Sequence, residues 1–342
     1  LTIPSHPKIL ISTYLEPQHV ERIAAAVPCE VLYDPELLPT TRYGNDHGGI
    51  RPTLTPEQDA RWSSMLAVAD IAFDFDWRAP GELLTSAPKL RWVQATSAGI
   101  GGFVQRYQLD AGALILTTAA GTHATPLAEF AVAGAMHFVK DVPGLLSAQR
   151  EHHWERHVSG QLSGRRATVV GLGSIGHRVA ELFSMLGVHV TGVGRPGGTY
   201  GIPGRVVSTD DLDAVLPDSE ILVLTCPLTP GTNNLINADR VGLLPAGAIV
   251  VNIARGQVID ESALTAALSA GHLAGAALDV FMEEPLPGDS SLWDLPNVLV
   301  SPHSASTAAD ENAVLTELFI DNLSRYLAGE PLRNVYGSDR GY

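Results

Sequence analysis

Residues 166–195 read RATVVGLGSIGHRVAELFSMLGVHVTGVGR, and this stretch decides the fold. Ala167–Val170 is a short apolar, β-branched run of the kind that forms a buried strand. A glycine turn follows, then an amphipathic helix, then a second strand over Val188–Val193. The turn spells G-x-G-x-x-G at Gly171, Gly173 and Gly176. The first glycine allows the tight turn, the second lets the backbone approach a pyrophosphate, and the third lets helix and strand pack closely. The helix N-terminus then faces the phosphates. A glycine hexapeptide alone is a weak signal. Placed between a strand and a helix, and followed by another strand, it predicts a dinucleotide-binding βαβ unit.

Working outward, the alternation stays regular toward the C-terminus. Strands are expected at Ala167–Val170, Val188–Val193, Ile221–Leu224, Ala248–Ile253, Ala274–Val280 and Val298–Val300, which makes six in a doubly wound arrangement. An amphipathic helix over Glu311–Leu327 lies beyond the last strand and could cross back to an N-terminal domain. Toward the N-terminus, strands are expected at Lys8–Ser12, Glu30–Tyr33, Ala67–Phe73, Leu90–Gln94 and Ala113–Thr117, with a helix at His19–Ala26. The stretch Pro35–Pro56, rich in Pro, Gly, Asp and Asn, reads as a long surface loop. The chain is therefore α/β, with two doubly wound parallel-sheet domains.

Pro126–Val139 predicts an almost wholly apolar helix with Thr125 as its cap. Such a helix is buried between domains or against another subunit. After it come His152, His153 and His157, two of them at helical i, i+4 spacing. A metal site there would lack a fixed carboxylate or fourth ligand, and the alternative is a plain helical face; no metal is expected.

Composition limits the function classes. The 342 residues carry a net charge of −15, 45% hydrophobic and 17% charged residues, which fits a folded chain and argues against a nucleic-acid surface. Cys29 and Cys226, far apart, suggest neither a disulfide framework nor a zinc site. No apolar run has the length of a membrane helix, and the start, LTIPSHPKIL, has no charged leader before an apolar core. No membrane partner and a cytoplasmic location are the expectations.

Three polar residues stand at strand ends in apolar or small-residue surroundings: Arg255 in AIVVNIARG, Glu284 in ALDVFMEEP and His303 in NVLVSPHSAS. In a doubly wound sheet these ends face the ligand. A guanidinium there grips a carboxylate, an imidazole moves a proton, and a neighbouring acid favours the protonated imidazole.

From about Leu90 onward the chain resembles the D-isomer-specific 2-hydroxyacid dehydrogenases, closest in flavour to glyoxylate/hydroxypyruvate reductases. The resemblance rests on VVGLGSIG (Val169–Gly176), CPLTPGT (Cys226–Thr232), VNIARGQVIDESAL (Val251–Leu264), ALDVFMEEPLP (Ala277–Pro287) and LPNVLVSPHSAS (Leu295–Ser306). It implies catalytic roles for the substrate-binding Arg255, for Glu284 paired with histidine, and for the acid/base His303. It implies that Ser97, Ala98 and Gly99 offer amides to the substrate carboxylate. Cofactor contacts are implied at Gly171, Gly173, Ser174, Ile175 and Gly176, and at Arg195, Cys226, Pro227 and Thr232. Further ones are implied at Ile253, Ala254, Asp279, His303 and Ala305, with Asp279 holding the nicotinamide carboxamide. It implies a flavodoxin-like substrate domain of residues 1–120 and 304–342, a Rossmann cofactor domain of 121–303 inserted into it, and a homodimer.

The expected activity is NAD(P)H-dependent reduction of a small 2-keto acid to the D-2-hydroxy acid. The strand after the glycine turn ends in Gly194-Arg195, with no acid before Asp210. An acid there would repel a 2′-phosphate and an arginine can pair with it, so NADP(H) is favoured over NAD(H). Arg195 stacked on adenine with NAD in use is the alternative. Glu284 argues against a formate dehydrogenase, where the resemblance implies an amide. An NAD(H)-sensing corepressor that binds protein partners, and an oxidant of D-2-hydroxy acids using NAD, stay open as other readings.

Overall fold

A computed structural model describes residues 6–110 and 114–337. The expected strand start at Ala113 and the first five residues of LTIPSHPKIL lie outside these. The chain divides into two compact units, one holding the residues up to His123 and from Thr307 on, the other Ala124–Ser306.

The second unit is a seven-stranded sheet. Its strands are β6 (Arg166–Val170), β7 (His189–Gly194), β8 (Arg205–Ser208), β9 (Ile221–Leu224), β10 (Ala248–Asn252), β11 (Leu273–Leu278) and β12 (Val298–Val300). In the first unit, numbered in the same chain order, come β1 (Lys8–Ile11), β2 (Glu30–Leu32), β3 (Ile71–Phe73), β4 (Trp92–Gln94) and β5 (Ile115–Thr117). The seven strands run in the order β12-β11-β10-β9-β6-β7-β8 and every pairing is parallel. This is the Rossmann order, reversing between β6 and β9. Alternate residues supply alternate faces. Val169, Val223 and Val251 pack under the helices Ala124–Val139 and Ser174–Met185. Val170, Leu224 and Val250 pack on the opposite side with Leu264 and Leu268 of the Glu261–Ser269 helix. Strands buried on both faces need the continuous apolar runs that made them readable in sequence.

The first unit repeats the plan with five parallel strands, β2-β1-β3-β4-β5. Leu10, Ala72 and Val93 meet Trp62 and Leu66 of the Pro56–Val68 helix on one face. Ile9, Ile11, Phe73 and Trp92 meet Leu315, Phe319 and Leu323 of the Glu311–Ala328 helix on the other. The Phe319 ring stacks on Trp92 and stands edge-on to Phe73, both at 5.2 Å between centroids. The C-terminal helix is thus part of the first unit's core.

Several expectations need correction. Ala67 and Val68 end a helix instead of starting β3. That helix was missed, although Thr55 and Gln58 form a capping box, a signature present in the sequence. Strand β8 was also missed: it is a four-residue edge strand with only Val207 buried, so it has almost no apolar signal. Thr125 lies inside the first turn of its helix, which begins at Ala124. In the single chain Thr125, Glu129 and Ala133 of that helix are exposed, and its other side packs on the sheet. The helix after it ends at Arg150, and residues 153–161 are irregular. Histidine spacing in this segment therefore has no helical meaning; His153 pairs with Glu155 at 3.0 Å. Among the described residues no three His, Cys, Asp or Glu side chains gather as a metal site, and no helix is long and apolar enough to cross a membrane. The Pro35–Pro56 stretch is not simply a surface loop: Leu37, Leu38 and Asp46 are buried in it.

Candidate active site

The turn between β6 and the Ser174–Met185 helix has the form the glycines require. Gly171 has φ +100°, a left-handed conformation, and a Cβ there would fall 2.6 Å from the Cys226 backbone. At Gly176 a Cβ would collide with the Gly171 carbonyl, which already accepts a 2.6 Å hydrogen bond from the Thr225 hydroxyl. At Gly173, the residue capping the helix, a Cβ would meet nothing within 4 Å. Gly173 and Ser174 are exposed and Ile175 is half-buried, so the first free amides of a helix open onto solvent. Such a terminus favours a phosphate.

Around this cradle the expected contacts divide. Cys226 is buried, and burial pushes its thiol up to about 11. The Thr232 hydroxyl donates to the Pro227 carbonyl at 2.6 Å and accepts from the Thr229 amide at 2.7 Å, so it ties the 227–232 turn. Ile253 and Ala254 are buried and offer little but backbone. At the end of β7, Gly194 is buried and Arg195 exposed, with no ion pair to Arg195 among the described residues. The Arg195 amide donates to the Tyr200 hydroxyl at 2.9 Å, and the Tyr200 ring covers Gly194. Tyr200 was not anticipated; it lies in a glycine-rich run that has no periodicity.

Arg255, Glu284 and His303 stand beyond the carboxyl ends of β10, β11 and β12, and all three are exposed. The Asn252 side chain shapes the first of these turns, donating to the Arg255 carbonyl at 3.1 Å and accepting from the Ala254 amide at 3.1 Å. Gly256 lies directly on the Phe281 backbone, where any Cβ would clash, and this brings the Arg255 turn beside the segment carrying Glu284. Glu284 accepts from the Phe281 amide at 3.0 Å through Oε1 and pairs with His303 Nδ1 at 2.7 Å through Oε2. Burial pushes the Glu284 carboxyl up, but the His303 and Phe281 hydrogen bonds and the charges of His303 and Arg255 outweigh it. The net effect holds it below the usual carboxylate range.

His303 has φ +53°, and Asp279 holds it in that turn. Asp279 Oδ1 accepts from the Ser301 hydroxyl at 2.5 Å and from the amides of Ser304 and Ala305 at 2.9 and 3.0 Å. Burial raises the Asp279 carboxyl more than these bonds lower it. Asp279 was expected to hold a carboxamide, and the turn around His303 is what this oxygen is seen to organise. The clamps at Asn252 and Ser301 were missed because a side chain serving its own backbone leaves no pattern in sequence.

Ser97, Ala98 and Gly99 belong to the first unit, just after β4. Ser97 and Gly99 are exposed, and Thr96 is buried with its hydroxyl donating to Asp74 Oδ2 at 2.9 Å.

The geometry agrees with comparisons to known proteins. Residues 132–305 match the model described as D-isomer specific 2-hydroxyacid dehydrogenase, NAD binding domain. The D-3-phosphoglycerate dehydrogenase of Mycobacterium tuberculosis is 33% identical over 73% of this chain, and the match spans 47% of that protein. Glyoxylate/hydroxypyruvate reductase B of Pectobacterium carotovorum is 45% identical over 36% of this chain and 39% of its own. A D-isomer specific 2-hydroxyacid dehydrogenase from Xanthobacter autotrophicus Py2, solved with NADPH and MES, is 31% identical. It superposes with a TM-score of 0.76 over 99% of this chain and 100% of that one. The chain belongs to the D-isomer-specific 2-hydroxyacid dehydrogenases, a family of NAD(P)-dependent oxidoreductases.

Proposed function

We propose that this protein reduces a small 2-keto acid to the D-2-hydroxy acid with NADPH. The observation that carries the reading is the 2.7 Å Glu284–His303 pair beside Arg255, at the strand ends of a sheet whose first turn is a glycine cradle. The open space at Gly173 and the helix N-terminus behind it suit a pyrophosphate, so the residues present fit the cofactor. The nicotinamide, when bound, supplies the hydride. Arg255 holds the substrate carboxylate and polarises the keto group. The backbone amides of Ser97–Gly99 are the first unit's contribution to that carboxylate. His303 donates a proton from Nε2 to the keto oxygen while Nδ1 stays bonded to Glu284, which fixes the ring and balances the imidazolium. In this reading the unit 124–306 is the cofactor domain and the other the substrate domain.

The exposed Arg195, with no acid at the end of β7, supports NADPH over NADH. The relative solved with NADPH supports it further. The reading extends to a homodimer: Trp154 is 95% and Val158 99% exposed on the irregular segment after the Val142–Arg150 helix. Large apolar side chains so fully in water suit an isologous contact. Sedimentation equilibrium should give twice the chain mass, and a single-chain mass contradicts this part. The main test is a screen of glyoxylate, hydroxypyruvate, pyruvate, phenylpyruvate and branched 2-keto acids with NADPH and NADH, with the product resolved on a chiral column. Reduction to the D-product, faster with NADPH, is expected. No turnover on any of them rejects the reading.

A further inference from the structure

In the five-stranded sheet the chain leaves β1 toward β2 on one side and then crosses to β3 on the other. β1 and β3 therefore flank the point where strand order reverses, and an open parallel sheet takes ligands beyond the carboxyl ends of its strands at that point. Thr13 follows β1 there and Asp74 follows β3. His47, from the loop after β2, comes to the first of them. Its Nδ1 is 3.1 Å from Thr13 Oγ1, and Asp74 is near enough to act on it electrostatically.

Several features of this cluster point to a ligand. His47 Nε2 is buried with no hydrogen-bond partner among the described residues. Asp74 has φ +68°, a conformation that strains a non-glycine backbone and gathers at functional sites. Asp74 Oδ2 accepts from Thr96, the residue before Ser97–Gly99. The other charges facing His47 are engaged: Asp46 by Arg42 and the amides of Gly48 and Gly49, and Glu311 by His123 at 2.9 Å. Burial pushes His47 down and Asp74 up, each toward its uncharged form.

We propose that His47, Asp74 and Thr13 bind an uncharged hydroxyl on the carbon next to the keto group, so that the enzyme selects 3-hydroxy-2-keto acids. The proposal rests on the reading that Ser97–Gly99 take the substrate carboxylate; Thr96, the residue before them, is bonded to Asp74 at 2.9 Å. A hydroxyl satisfies His47 in either tautomer. If Thr13 donates to Nδ1, then Nε2 donates to the ligand; if Nδ1 donates, Nε2 accepts. A methyl group leaves that nitrogen unpaired, which is how a polar site rejects an analogue lacking the hydroxyl. A phosphate would bring negative charge toward Asp74, Asp46 and Glu311, where the nearby arginine, Arg42, is already paired.

The test is kcat/KM with NADPH for hydroxypyruvate, pyruvate and phosphohydroxypyruvate, in the wild type, His47→Leu and Asp74→Asn. The wild type should prefer hydroxypyruvate over pyruvate about a hundredfold or more, and over the phosphorylated acid as well. Each substitution should shrink the hydroxypyruvate-to-pyruvate ratio at least tenfold. A purely structural role for these residues would slow both substrates and leave the ratio intact. NADPH fluorescence identifies a variant that fails to fold, in which case the other variant and the wild-type ratio decide. A wild-type ratio near one, or a ratio unmoved by either substitution, overturns the proposal. Turnover of no 2-keto acid overturns the reductase reading itself.

Discussion

The two sheets share a plan and use their strand ends differently. In the seven-stranded sheet the ends of β10, β11 and β12 carry Arg255, Glu284 and His303, charged or chargeable, exposed, and held by short turns. In the five-stranded sheet the ends of β1 and β3 carry Thr13, bonded to His47, and Asp74, and burial pushes His47 and Asp74 toward their uncharged forms. The first arrangement can move a proton and grip a carboxylate. The second suits a neutral hydrogen-bonding group. In the proposed reading, reaction type and substrate choice are assigned to different units.

The largest effect is expected at Arg255. Arg255→Ala should lower kcat/KM for a 2-keto acid by about a hundredfold or more, the worth of roughly 3 kcal/mol from paired charge-assisted hydrogen bonds. NADPH affinity should stay as in the wild type, and Arg255→Lys should restore little, because an ammonium cannot make the bidentate grip. Loss of NADPH binding would move Arg255 from substrate to cofactor. A smaller effect is expected at Arg195. Arg195→Ala should raise KM for NADPH about tenfold, the worth of one charge-assisted bond, and leave NADH unchanged. Equal losses with both cofactors would favour adenine stacking over a 2′-phosphate contact.

The smallest effect concerns the loop that carries His47. Asp46 is 4% exposed, and the Arg42 hydrogen bond chiefly, against the cost of burial, holds its carboxyl well below the usual carboxylate range. A depressed folded pKa means stability that is present above the unfolded value, near 3.9, and is lost as pH falls toward the folded one. Asp46→Asn should cost about 1–2 kcal/mol at pH 7 by urea melts, with the gap to wild type closing below about pH 4. A gap constant from pH 7 to pH 3 would show that the carboxylate charge contributes nothing.

What was legible in the sequence follows the same division. Strands β6, β9 and β10 are buried on both faces, so their apolar runs and the glycines between β6 and its helix were readable at once. Arg255, Glu284 and His303 could be found because each follows such a run. β8 could not, because an edge strand with one buried residue needs no apolar run. His47 was lost in a stretch read as surface. The role proposed for it involves Thr13 and Asp74, which lie 34 and 27 positions away, and no local pattern encodes such a grouping. The Thr55–Gln58 capping box was legible and overlooked, and with it the helix that covers β1.

In the proposed reaction His303, oriented by Glu284, delivers the proton to a keto oxygen. Single-turnover reduction of hydroxypyruvate by the NADPH-loaded enzyme tests it directly in wild type and His303→Ala. At saturating NADPH the variant should show a fall of roughly a hundred- to ten-thousand-fold in the chemical step. A wild-type rate in the variant would contradict it.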